Sequence, residues 1–198
     1  MRGVASRPAP RVWAGMATGL ALGALALWFA PRELLDWQAA LVWSQPWRLW
    51  TAAVVHLSRL HLQANLLGCA VVGVFGIVAG VPRHAVGAWL AAWPLTHAAL
   101  ALNAQLLQYA GLSGLLHAGV AVVALDLAWR RDGRQRAIGL AVLAGLALKL
   151  ALERPWLGPA QVVPGWDMPI VPLAHLTGAA AGLLCGAVAQ AVAGRQAA

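Results

Sequence analysis

Charge is scarce in this sequence. Only 10% of its 198 residues are charged and six are acidic, against 61% apolar residues and a mean hydropathy of +0.72. A water-soluble globule needs more polar surface than that, so soluble classes are excluded. Cysteine is also scarce: Cys69 and Cys185 both lie inside apolar runs, which excludes a disulfide framework or a zinc site and leaves redox chemistry without a basis. No soluble repeat, linker or low-complexity tail is visible. In a soluble chain, a net charge of +8 would suggest nucleic acid as a partner. Here the arginines gather at the ends of apolar stretches, as membrane topology requires, and nucleic-acid binding is excluded on composition.

What is present is apolar sequence in blocks of membrane length. A transmembrane helix takes about 20 residues, so roughly 120 apolar positions supply about six spans. The runs fall at about 12–30, 61–79, 85–102, 113–129, 137–152 and 171–193. They predict an all-α polytopic membrane protein, a six-helix bundle forming one domain over 1–198. No small-residue cleavage site follows the first run, which therefore reads as a retained span. The connection 31–60 carries Trp37, Trp43, Trp47 and Trp50, a density expected at a membrane interface.

Six spans put both termini on one side. With that side cytoplasmic, the inner segments hold Arg2, Arg7, Arg11, Arg83, Arg130, Arg131, Arg134, Arg136 and Arg195, and the outer ones hold Arg32, Arg48, Arg59, Lys149 and Arg154. Nine against five favours cytoplasmic termini.

Ionisable or strongly polar side chains inside spans are costly and are functional candidates by default. His61 and Asn65 open the second span, Ser113 and His117 the fourth, and His175 the sixth, with His56 just before the second. These three spans all start on the outer side, so the residues share one depth. A single such histidine is more often a buried helix–helix hydrogen bond; five polar residues at one depth on three helices fit a site better. Ser113 and His117 are i and i+4, on one helix face, and His61 and Asn65 repeat the spacing. Gly178 and Gly182 after His175, and Gly114 and Ala118 after Ser113, form small-residue faces on which helices approach closely.

A serine hydroxyl needs a base to become a nucleophile, and histidine is the usual one. No carboxylate falls near these positions in the sequence, so a Ser113–His175 dyad is the most it supports. His61, Asn65 and the Ser113 N–H are candidate oxyanion donors, and Gly111 and Gly114 let backbone pass close to a substrate carbonyl. Lys149 and Glu153 read as a helical ion pair near the outer interface, His97 and Asp126 as structural, and His84 as a loop cation. Histidine ligation of a haem or metal, and a transporter path through Lys149 and Glu153, are the other readings these residues leave open.

The motifs resemble the rhomboid family of intramembrane serine proteases. Trp47-Arg48-Leu49-Trp50-Thr51, followed by His56, His61 and Asn65 in HLSRLHLQANLLG, resembles the family's first outer loop and second span. Gly111-Leu112-Ser113-Gly114 resembles its GxSG nucleophile motif, and Ala174-His175-Leu176-Thr177-Gly178 with Gly182 its AHxxGxxxG motif. The match runs from about Trp47 to Gly186. The resemblance implies Ser113 as nucleophile, His175 as base, His61 and Asn65 as oxyanion donors, and a structural role for His56. It implies neither a cofactor nor a metal. Many rhomboids carry a tyrosine packed on the base where this chain has His117. GLSGLLHAG and the compact length are similar to the rhombosortase branch. That likeness implies a membrane-anchored substrate with a C-terminal Gly-Gly, apolar helix and basic tail, cut near the outer face of a bacterial inner membrane. A rhomboid-like pseudoprotease, acting as a membrane chaperone or binding protein, is the alternative.

Overall fold

The computed structural model describes residues 8–130 and 132–196; Arg2, Arg7 and Arg131 of the topology count lie outside them. Seven helices follow one another among the described residues: α1 (Pro10–Ala26), α2 (Arg48–Thr51), α3 (Arg59–Ala79), α4 (Arg83–Ala98), α5 (Ser113–Trp129), α6 (Gly133–Glu153) and α7 (Pro172–Gln196). Their ends obey local chemistry. Pro10 supplies a first turn with no N–H to satisfy. Ser58 Oγ accepts from the His61 N–H at 3.1 Å to cap α3, and Gly80 closes that helix in the left-handed region at φ 62°. Asp132 caps α6 through the Gln135 N–H at 2.9 Å.

The helix ends differ from the apolar runs where caps intervene. α1 stops at Ala26, short of residue 30, and α6 begins at Gly133, four residues before the apolar run. His84 belongs to the first turn of α4 and lies 3.9 Å from Asp126, so it is not a loop residue. The segments Arg59–Ala79, Arg83–Leu102, Gly133–Glu153 and Pro172–Arg195 are long and apolar enough to cross a membrane, and Ser113–Trp129 is a shorter apolar helix.

α5 is the central element, packed against α3, α4, α6 and α7. Apart from Ser113, His117 and Asp126 it is apolar on every side, the pattern of a helix surrounded by others. Its contact with α7 is the closest in the bundle. A Cβ on Gly178 would overlap the Gly114 carbonyl, one on Gly182 would overlap Ala118 backbone, and one on Gly114 would lie 2.7 Å from the Ala174 carbonyl oxygen. On the other flank, Trp13 of α1 donates to the Val72 carbonyl at 3.0 Å and stacks on Trp89 at 4.4 Å. Trp89 in turn donates to the Leu115 carbonyl at 2.8 Å. α6 buries only Gly139, Leu146 and Leu150 and is peripheral. Leu67, Val71, Val74, Val78, Leu148 and Leu184 point outward, a surface suited to lipid and not to water.

The connection between α1 and α3 is a built structure and not merely an interfacial coil. Arg48, buried, donates to the Asp36 carbonyl at 2.6 Å, to Asp36 Oδ1 at 3.1 Å, to the Glu33 carbonyl at 3.0 Å and to Gln45 at 2.8 Å. Trp37, expected at the interface, is fully buried; Trp43, Trp47 and Trp50 are exposed. The reason is a short antiparallel ladder, β1 (Trp37–Gln38) with β2 (Gln108–Tyr109), which pairs Trp37 with Tyr109 and draws the indole inward. The Gly111 N–H donates to the Ala52 carbonyl at 2.8 Å, fastening the approach to Ser113.

Candidate active site

A cavity of about 570 Å³ opens between α3, α5, α6 and α7, and His61, Asn65, Ser113, His117 and His175 all face it. His56 lies behind its wall, edge-on to His61 with ring centroids 5.0 Å apart. Burial, reinforced by the neighbouring His61, pushes the His56 imidazole down to about 3, so that ring is neutral.

Ser113 is the first residue of α5, where the opening N–H groups have no intrahelical acceptor. The Gly114 N–H goes to the Tyr109 hydroxyl at 3.3 Å, and that hydroxyl donates to the Gly111 carbonyl at 2.8 Å. Tyr109 also lies 3.4 Å from Ser113 Oγ. Burial raises the Tyr109 phenol above its ordinary value, so it stays a neutral bridge within the turn. Gly111 has φ 121°, and a Cβ there would fall 2.5 Å from His61 Nε2 and 3.4 Å from Asn65 Nδ2. Only glycine lets the turn press against these two side chains.

The donors beside that turn are oriented. His61 Nδ1 accepts from the Leu57 N–H at 3.5 Å, which leaves the proton on Nε2, the nitrogen beside Gly111. Asn65 Nδ2 is buried and has no acceptor among the described residues. An amide N–H kept without a partner in an apolar interior costs free energy, and it faces the space next to Ser113.

The His175 ring is fixed twice. His117 stacks beneath it, centroids 4.2 Å apart and 15° between planes, and is itself tied to the Ser113 carbonyl through Nδ1 at 2.6 Å. At the ring edge, His175 Nδ1 lies 2.8 Å from Glu153 Oε2, and the other carboxylate oxygen pairs with Lys149. The expectation that no carboxylate lies near the histidine is therefore corrected. Glu153 ends α6 while His175 sits in the first turn of α7, and the reversal between them brings the two side chains together. Neither His175 Nε2 nor Ser113 Oγ bonds the other; among the described residues the one side chain within hydrogen-bond distance of Ser113 Oγ is Tyr109.

Glu153 and Tyr109 are the residues that sequence reasoning missed. Tyr109 had a signal, being the one tyrosine in the chain and two residues before Gly111. For Glu153 the helical pairing with Lys149 was visible and its second partner was not. His117, Glu153 and His175 each offer a ligand atom within 4.8 Å of the others. Imidazole binds a metal in its own plane, however, and two nearly parallel stacked rings direct their lone pairs side by side. The remaining polar pairs serve the scaffold: His97 is buried 2.7 Å from the Leu49 carbonyl, and Asp126 binds Arg130 at 2.5 Å and Gln190 at 2.7 Å.

A half-buried serine at a helix start, a histidine and a buried amide donor with no acceptor among the described residues line one cavity set among membrane-length helices. The family model of the Rhomboid domain matches residues 44–191, that is 148 of the 198 residues, and the chain belongs to the rhomboid family of intramembrane serine proteases. It is an integral membrane protein. No curated protein matches it significantly.

Proposed function

We propose that this protein is an intramembrane serine endopeptidase in which Ser113 is the nucleophile and His175 the general base. Ser113 Oγ forms a bond to the scissile carbonyl carbon while its proton passes to His175 Nε2. The carbonyl oxygen becomes an oxyanion and accepts from Asn65 Nδ2, His61 Nε2–H and the Ser113 N–H. The proton then goes to the departing amine as the C–N bond breaks, and water, activated by the same histidine, resolves the acyl-enzyme. One observation supports this most: the buried Asn65 Nδ2, without an acceptor among the described residues, in the wall of the cavity that Ser113 also lines. A donor left idle at such cost is what a site built for a developing negative charge requires.

The reading includes six spans, α1 and α3 to α7, with both termini in the cytoplasm of a bacterial inner membrane and the cavity opening outward. Cysteine introduced at 103–112 should then be labelled by an impermeant reagent from outside, and cysteine at Gly133 should not; the reverse pattern overturns the orientation. A serine at that depth reaches the top of a substrate helix, where the bond must leave helical hydrogen bonding before it enters the site. Gly-Gly at that point lowers the cost, so a rhombosortase-like C-terminal anchor is the proposed substrate. A fluorophosphonate probe should label the chain and fail to label Ser113→Ala. Unlabelled wild-type protein would favour the pseudoprotease reading. Equal processing of Gly-Gly and Leu-Leu reporters would refute the anchor specificity alone.

A further inference from the structure

We propose that Glu153 is a positioning residue for His175, extending the pair Ser113–His175 to a relay of three with Lys149 as its anchor. The proposal rests on the protease reading above and deepens it.

A carboxylate only accepts hydrogen bonds, so the 2.8 Å contact from Glu153 Oε2 places the imidazole proton on Nδ1 and leaves the lone pair on Nε2. That is the tautomer a base facing Ser113 must have. Stacking on His117 sets the plane of the ring, but a half-turn about the Cβ–Cγ bond keeps that plane while exchanging Nδ1 with Cδ2. The bond to Glu153 fixes which edge faces which way.

The carboxylate has a second use. When the serine proton reaches Nε2 the ring becomes a cation inside a cavity lined mainly by apolar groups, where charge is weakly screened. Glu153 stands against that charge before it forms. A carboxylate at membrane depth is costly by itself, and the i, i+4 partner Lys149 on the other oxygen offsets it.

A structural reading competes, since Glu153 also ties α6 to α7, two helices with few other direct contacts. Kinetics on purified full-length protein with a fluorogenic transmembrane peptide separates the two. Glu153→Gln keeps the size and a hydrogen bond but lets the amide donate to Nδ1, which favours the wrong tautomer. It should lower kcat by about 10²–10⁴-fold, the range for loss of an orienting acid, with KM within about threefold and folding unchanged. Glu153→Asp should recover part of kcat, and a Lys149→Met change should cost less than Glu153→Gln. Glu153→Gln with kcat within about threefold of wild type overturns the proposal and leaves Ser113 and His175 as they are. A parallel rise in KM and loss of thermal stability, unrescued by Asp, overturns it in favour of the strut. Absence of fluorophosphonate labelling in the wild-type chain removes the protease reading and this proposal with it.

Discussion

Replacing Gly111 by alanine tests the site at its tightest point. The new Cβ would sit 2.5 Å from both His61 Cε1 and His61 Nε2, whereas ordinary contact begins near 3.4 Å, so the ring must retreat by about 0.9 Å. The backbone cannot yield instead, because the Gly111 N–H is bonded to Ala52 and its carbonyl to Tyr109. Two costs follow. Holding alanine at φ 121° strains the backbone by about 1–3 kcal/mol. Moving one proposed oxyanion donor by nearly 1 Å forfeits most of its contribution, ~10²–10³ in kcat. The expected outcome is a fall of that size in kcat with KM little changed and a modest loss of thermal stability. Asn65→Ala serves as the comparison, with a loss of about tenfold to a thousandfold. Gly145→Ala is the control, since nothing lies within 4 Å of a Cβ there, and it should be neutral. The assay is peptide cleavage in detergent beside a thermal melt. If Gly111→Ala cleaves within about threefold of wild type, the argument that His61 is held against this turn to serve the reaction fails.

Arg48→Ala should destabilise by about 3–5 kcal/mol, because it strips a buried carboxylate at Asp36 of its charged partner and frees the Asp36 and Glu33 carbonyls at once; a melt unchanged within error would show the loop to be held by its apolar contacts alone. His56, held at about 3 against an ordinary value near 6.5, stabilises the fold fully above pH 6.5. That contribution falls by about 1.4 kcal/mol per unit as pH drops toward 3. The wild-type chain should therefore lose about 2 kcal/mol more than His56→Gln between pH 7 and pH 5, and equal slopes would show that His56 is not buried as a neutral ring.

Local pattern made the helices legible. Apolar runs of membrane length and Ser113 at the start of one of them are properties of a few consecutive residues, and they hold wherever the helix ends up. The grouping of His61, Asn65, Ser113, His117 and His175 was legible for a related reason: three helices that begin on the same side bring their first turns to one level. Position along a helix gives depth, but not which neighbour a side chain meets. Trp37 looked interfacial because tryptophan favours that zone, and pairing with a strand some seventy residues away buried it. Glu153 looked like half of a surface ion pair because i, i+4 is all a helix can reveal. The course of 154–171 and the angle at which α6 meets α7 set its carboxylate against His175. Free energies of helix formation are summed over near neighbours and can be read in sequence. A 2.8 Å contact between residues 22 apart depends on where two rigid bodies come to rest, and only the tertiary structure decides that.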